Sequence, residues 1–197
     1  EMANIREQCS WVHAHQPEKA TRKAKDIVRM AVARATWLQP QEEPEVEIKD
    51  SALVIGAGIA GMTSALTLAD QGFKVYLVEK EPEAGGNLRK LHKLYPTMQD
   101  TSEVLEPIVK AVKAHKNIQL MTSTIISEVK GYVGNFKVTA TRNGEKTDLE
   151  VGTIIVACGA MNYRPPEGLY QYGVFDRVVT QLEMDEMLKE GKLPKPE

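Results

Sequence analysis

The sequence has 197 residues, and its 25 Lys and Arg against 27 Asp and Glu give a formal net charge of −2 at pH 7. This balance argues against a protein that binds nucleic acid or another polyanion, and the 42% of apolar residues is typical of a globular protein without a membrane span or signal peptide. The two cysteines, Cys9 and Cys158, lie far apart without a CxxC pattern, which argues against a local metal motif and favours a reducing, cytoplasmic compartment.

The first predicted segment, residues 1–45, consists of a helix and a linker. Pro17 and Glu18 suit the first turn of a helix, which the apolar pattern then extends to Leu38. Its predicted apolar stripe comprises Ala20, Ala24, Ile27, Val28, Ala31, Val32, Ala35 and Leu38. The polar, Pro-containing residues 39–45 predict a linker, so we expect an N-terminal helical appendage outside the main sheet.

Strands and helices alternate in the second predicted segment, residues 46–166. The predicted elements are a strand at 52–56, a helix at 59–71, a strand at 74–79, a helix at 104–115, a strand at 118–122, antiparallel strands at 125–132, 136–141 and 146–151, and a strand at 153–157. The first three elements form a β-α-β unit, which implies parallel strands, and Asn143-Gly144 predicts a tight hairpin turn. The fold class is therefore α/β, with a parallel sheet and an antiparallel β-meander.

The third segment, residues 167–197, is predicted to be a tail with one short helix. Thr180 and Glu183 form a capping box, and the helix continues to about Lys189, where Gly191 can end it. No closing strand follows, so we expect a piece of a longer protein in which this tail is truncated.

The strongest chemical signal is the sequence Gly56-Ala57-Gly58-Ile59-Ala60-Gly61, a GxGxxG motif between a strand and a helix. Gly56 permits a tight turn, Gly58 leaves room for a pyrophosphate, and Gly61 lets the helix pack closely on the strand. The start of the helix attracts the anion. Glu79, eighteen residues after Gly61, ends the next strand and can accept hydrogen bonds from a ribose diol. A structural glycine turn is the alternative, but the strand, helix and acid together favour a dinucleotide.

A glycine pair extends this site. After Glu79 the chain reads Lys80-Glu81-Pro82-Glu83-Ala84-Gly85-Gly86, and two glycines let the backbone approach a second part of the ligand, the FMN half of FAD. A flexible surface turn is the alternative interpretation of the pair. The meander stands where a simple NAD domain has a helix, which favours FAD, and an NAD(H)-binding dehydrogenase domain remains the competing hypothesis.

Together these motifs resemble the two-dinucleotide-binding-domain flavoproteins, with a Rossmann-like FAD/NAD(P)-binding fold, and especially the thioredoxin reductase-like group. A closer resemblance, to the A-subunit of heterodisulfide reductase, rests on NIREQCSWVH at residues 4–13, the Lys- and Ala-rich helix that follows, GYVGNF at 131–136 and TQLE at 180–183. The sequence departs from the family pattern at Cys158, where Thr is usual, and it lacks the cysteines that the family carries near Pro96-Thr97.

The resemblance implies the FAD-binding portion of an oxidoreductase, an electron-transfer subunit of a cytoplasmic complex whose partners are its other subunits. It implies iron–sulfur clusters only in parts missing from this chain, and we expect no disulfide reduction by the fragment alone. The residues assigned to the cofactor are Gly56, Gly58, Ile59, Ala60, Gly61, Glu79, Lys80, Gly85, Gly86, Arg89, Val129, Ala157 and Gly159. No catalytic residue and no metal ligand is assigned.

Four interpretations stay open from the sequence. Arg89 is either a phosphate partner or an ordinary surface residue. Cys9 is either a cluster ligand in the full-length protein or a small buried residue. His13 and His15 lack a partner at ligand spacing, so we expect no metal there. Residues 1–38 are alternatively a non-enzymatic module that docks a partner.

Overall fold

The computed structural model describes residues 1–43 and 45–192, and the chain divides into two compact units, Glu1–Glu45 and Val46–Glu197. The first unit holds a π-helical turn, Arg6–Ser10, and helix α1, Pro17–Ala35. Cys9 is buried, and its Sγ lies 2.8 Å from the carbonyl oxygen of Ala20. This contact joins the turn to the first residues of the helix.

Helix α1 begins at Pro17 as predicted and ends three residues before the predicted Leu38. None of its residues is buried, and the Val28 and Val32 side chains of the apolar stripe are 44% and 61% exposed. The stripe therefore forms, but within residues 1–43 and 45–192 nothing covers its exposed side. The three residues after α1 leave the helix in a turn, because the Trp37 and Leu38 N–H groups bond three residues back instead of four.

The second unit is built on a parallel four-stranded sheet in the order β5-β2-β1-β9. Its elements in chain order are β1 Ser51–Ile55, α2 Ile59–Asp70, β2 Lys74–Val78, a 3-10 helix Gly86–Lys90, β3 Lys93–Leu94, β4 Gln99–Asp100, α3 Thr101–Ala114, β5 Ile118–Met121, β6 Thr124–Tyr132, β7 Asn135–Arg142, β8 Glu145–Val151, β9 Thr153–Val156, a 3-10 helix Leu169–Gln171 and α4 Gln181–Glu190. The predicted strands and helices are present with small shifts at their ends.

Both faces of the parallel sheet are covered, which explains why its central strands are apolar runs. Successive side chains of a strand point to opposite faces. On one face Val54 packs in a core with Met62 of α2 and Val112 of α3. On the other face Leu53 packs in a second core with Val138 and Leu149 of the three-stranded sheet β6-β7-β8. The predicted parallel sheet with a meander on one face is thus confirmed.

Two local features differ from the prediction. Helix α3 begins at Thr101, three residues before the predicted start, so Pro107 is its seventh residue and lies in the second turn. The short antiparallel pair β3 and β4 precedes it, and two-residue strands carry no hydrophobic period that would reveal them.

The tail ends in the predicted capping box. The Thr180 side chain accepts a hydrogen bond from the Glu183 N–H, the Glu183 carboxylate accepts one from the Thr180 N–H, and Gly191 ends α4 with φ +67°. Residues 193–197 of the predicted tail lie outside the described residues. No helix in the described part of the chain has both the length and the apolarity that crossing a bilayer requires.

Candidate cofactor-binding site

The candidate site lies at the edge of the parallel sheet where β1, β2 and β9 end. Ile55 is in register with Val78 of β2 and with Val156 of β9. The residues that follow these three strands therefore meet at one edge, and in open α/β sheets ligands bind outside the carboxyl ends of the strands. The sheet order brings together the predicted GxGxxG loop, Glu79, and the turn from Ala157 to Gly159.

Two glycines of the loop are required by the protein itself. Gly56 has φ +103°, and a Cβ there would lie 2.4 Å from the Ala157 carbonyl oxygen. A Cβ on Gly61 would lie 1.8 Å from the Gly56 carbonyl oxygen. Both distances are shorter than any real contact of a Cβ atom. Gly56 thus permits the turn beside β9, and Gly61 permits the close packing of α2 against the loop.

Gly58 is different, because neither backbone conformation nor packing requires a glycine there. Its φ of −75° and ψ of −176° are open to any residue, and a Cβ would meet nothing within 4 Å. Among the 14 glycines of the chain, Gly58 alone combines an ordinary φ with such open space. A side chain at this position would only fill the space in front of the loop. The loop therefore fits a diphosphate, which needs that space.

The start of α2 offers hydrogen-bond donors to the same space. Gly58 is the N-cap residue, and its carbonyl accepts the first helical hydrogen bond, from the Met62 N–H, at 2.9 Å. No side chain of the described residues caps this end. The N–H groups of Ile59, Ala60 and Gly61 precede the first helical bond and are available to an anion, which the helix dipole also favours.

The carboxylate of Glu79 is held in a fixed position next to the loop. The side chain is 6% exposed, Oε2 accepts a hydrogen bond from the Ala57 N–H at 2.7 Å, and Oε1 accepts one from the Glu81 N–H at 3.0 Å. A carboxylate oxygen has a second lone pair. Each oxygen can therefore still accept a hydrogen bond from a hydroxyl of a ribose, as the sequence predicts.

The glycine pair lies against the GxGxxG loop. Gly85 and Gly86 have φ values of +132° and +56°, which favour glycine. The Gly85 N–H donates to the Ala57 carbonyl at 2.7 Å, and a Cβ on Gly86 would lie 3.0 Å from Cα of Gly58. The structure thus brings the two glycine motifs into contact, as a site for one extended ligand requires.

Three predicted residues lie away from this group. Arg89 pairs with Glu83, on the outer side of the glycine pair. The Lys80 side chain is 70% exposed and lies 4.0 Å from the Glu81 carboxylate. Val129 is five residues along β6 from its start at Thr124, which is about 16 Å at the usual rise of a strand. The contact of Val129 with a cofactor therefore finds no support in its position.

Two residues at the site were missed from the sequence. Thr124 is buried, and its N–H donates to the backbone carbonyl of Glu79 at 2.9 Å. Asn87 follows the glycine pair, and its side-chain amide donates to the Ala160 carbonyl at 2.9 Å. Their positions after β5 and after the glycine pair were the available signal. Among the described residues, no group of three or more His, Cys, Asp or Glu side chains is arranged to hold a metal.

The fold and this edge define a dinucleotide-binding domain of the kind found in flavin-dependent oxidoreductases. Residues 50–195 match the family described as pyridine nucleotide-disulphide oxidoreductase. The chain belongs to this family.

Known proteins similar to this chain confirm the closer resemblance inferred from the sequence. The first of two CoB–CoM heterodisulfide reductase iron-sulfur A-subunits of Methanopyrus kandleri is 50% identical over 159 residues, 81% of this chain and 23% of that protein. The A-subunit of the H2:CoB–CoM heterodisulfide, ferredoxin reductase of Methanothermobacter thermautotrophicus is 36% identical over 278 residues, 100% of this chain and 42% of that protein. The chain thus spans less than half the length of these relatives.

Solved structures show the same fold. The L-proline dehydrogenase from P. horikoshii has a TM-score of 0.53 at 25% identity, over 64% of this chain and 26% of that one. Thioredoxin reductase from Lactococcus lactis has a TM-score of 0.50 at 24% identity, over 64% of this chain and 41% of that one. The predicted Rossmann-like flavoprotein fold is confirmed.

Proposed function

We propose that this chain binds FAD at the edge of its parallel sheet and forms the FAD-binding portion of an electron-transfer protein similar to the A-subunit of heterodisulfide reductase. The observation that carries the proposal is the open position at Gly58, where the protein has no need of a glycine. The contact between Gly86 and Gly58 supports FAD over NAD(H), since it provides close backbone approach for the second half of an extended dinucleotide.

In this proposal each part of the site has one task. The N–H groups at the start of α2 hold the diphosphate, with Gly58 leaving room for it. Glu79 accepts hydrogen bonds from the ribose of the adenosine half and disfavours a 2′-phosphate by charge repulsion. Gly85 and Gly86 give the FMN half access to the backbone. The flavin, when bound, supplies hydride and single-electron chemistry, and the protein orients it.

The wider activity is also a proposal, because the relatives are much longer than this chain. Their names describe subunits that act with a CoB–CoM heterodisulfide and, in one of them, ferredoxin. We propose that this chain likewise belongs to a cytoplasmic complex, with other redox subunits as its partners. Iron–sulfur clusters belong to the remainder of the longer protein in this proposal, and Cys9 is a candidate ligand there.

Reconstitution of the full chain with FAD tests the proposal. We expect bound flavin with its absorbance bands, and mass spectrometry of the released ligand should give FAD. Gly58→Val should weaken FAD binding at least about tenfold while the circular dichroism spectrum stays unchanged. Thr67→Val places the same side chain on the exposed side of α2 and should bind FAD like the wild type.

Two results would contradict the proposal. If Gly58→Val binds FAD as tightly as the wild type, the loop does not hold the diphosphate. If the protein stays colourless but NADH raises its melting temperature, the site belongs to a dehydrogenase domain instead.

A further inference from the structure

Two loops flank the GxGxxG loop at the candidate site. One is the glycine pair with its 3-10 helix Gly86–Lys90, in which Gly86 faces Gly58. The other follows β9, and Gly56 packs against its first residue, Ala157. A dinucleotide in front of Gly58 would therefore have one flanking loop on each side.

The loop after β9 has little to hold it in place. The Ala157 N–H bonds to Ile55, but among the described residues no backbone N–H of residues 158–165 donates to another backbone group. Met161 and Tyr163 are 93% and 73% exposed. Such a segment, with few buried contacts and no backbone hydrogen bonds, is expected to open easily.

One side chain of the opposite loop holds this segment. The Asn87 amide donates to the Ala160 carbonyl at 2.9 Å and so joins the two flanking loops across the front of the site. We propose that Asn87 is a positioning residue, a latch that keeps both loops closed over the diphosphate and slows dissociation of the dinucleotide. The effect on dissociation rests on the proposed function, whereas the effect on the loop does not.

The amide is suited to this task for a simple chemical reason. A backbone carbonyl needs a donor, and Asn supplies an uncharged one. A Lys at this position would add a charge near the diphosphate, and an Asp would present an acceptor to the carbonyl. A single exposed hydrogen bond has a modest net effect, so we expect the latch to change dissociation by about three- to tenfold.

The first experiment measures the latch without any ligand. Asn87→Ala should lower the ¹⁵N order parameters of residues 158–163 in the ligand-free full chain. Asn135→Ala is the matched control, because its amide is also exposed and donates to a backbone carbonyl, that of Glu47, at 2.6 Å. The control should leave these order parameters unchanged. Unchanged values in Asn87→Ala would overturn the proposal.

The second experiment measures dissociation of FAD from the reconstituted full chain by the recovery of flavin fluorescence. Asn87→Ala should raise the dissociation rate about three- to tenfold and leave the association rate unchanged, whereas Asn135→Ala should change neither rate. A general loss of stability would not separate the two rates in this way. An unchanged dissociation rate would overturn the latch, while a wild-type chain that binds no FAD would overturn the proposed function instead.

Discussion

Gly58 and Gly61 are three residues apart in one loop, yet their replacement should have opposite effects. A Cβ on Gly58 enters open space, whereas a Cβ on Gly61 would lie 1.8 Å from the Gly56 carbonyl oxygen. The first glycine therefore serves a ligand and the second serves the packing of α2. This difference separates binding from folding at the scale of single residues.

We expect Gly61→Ala to lower the free energy of unfolding by about 1–3 kcal/mol, because the added methyl group forces the loop and the helix apart. Gly58→Ala should change the free energy of unfolding by only a few tenths of a kcal/mol, as Gly and Ala differ little at an N-cap without a side-chain bond. Urea unfolding of the ligand-free variants measures both values. Equal losses in the two variants would contradict the distinction.

Glu79 allows a second prediction at this scale. Glu79→Gln keeps the shape but replaces one acceptor oxygen by an NH2 group, so either the Ala57 or the Glu81 N–H loses its acceptor. An unpaired donor costs about 1–3 kcal/mol when it is buried. We expect a loss of stability in this range in urea unfolding without ligand, together with weaker FAD binding. A variant as stable as the wild type would show that the two hydrogen bonds do not hold the loop.

Among the elements, α4 shows how a local sequence signal determines structure. A hydrogen bond from the Thr180 N–H, with further ones from the Tyr172 and Thr180 hydroxyls, holds the pKa of Glu183 below its ordinary value of 4.5. Because the folded pKa is lowered, the charged carboxylate stabilises the folded helix at neutral pH. This contribution is present above the unfolded pKa and is lost as the pH falls through the folded pKa.

Carboxyl ¹³C titration by NMR should give a pKa of Glu183 below 4.5. Thr180→Ala should raise this pKa, because the variant loses the hydroxyl that contacts the carboxylate, and it should cost about 1 kcal/mol of helix stability through loss of the cap. Glu186, in the same helix, serves as the internal reference. A Glu183 pKa at or above the ordinary value would contradict the network.

The elements that could be predicted from the sequence are those with a strong local pattern. The β1-α2-β2 unit follows from an apolar run, a GxGxxG motif and an acid at fixed spacing, and the capping box announces α4. The position of Thr124 beside Glu79 could not be predicted, because it arises from the pairing of β5 with β2. The contact of Asn87 with Ala160 joins residues 73 apart, and no local pattern encodes such a distance.

At the scale of the whole molecule, the residues of the candidate site all lie in the second unit, Val46–Glu197. The first unit has an exposed apolar side on α1 but contributes none of these residues. Deletion of residues 1–38 should therefore leave the dissociation constant for FAD unchanged within about twofold, as measured by fluorescence titration. A larger loss would show that the first unit supports the cofactor site. Failure of partner proteins to assemble with the shortened protein would favour a docking role for the first unit.

The tethering of Glu79 on both carboxylate oxygens links nucleotide preference to the rigidity of the GxGxxG loop. A lineage that adopted a 2′-phosphorylated nucleotide would have to remove this negative charge, and the Ala57 and Glu81 N–H groups would then need new acceptors. A single exchange at position 79 would thus weaken the scaffold before it improved recognition of the new nucleotide. Evolution toward such a ligand would need at least one compensating change nearby, and this requirement would conserve the present preference.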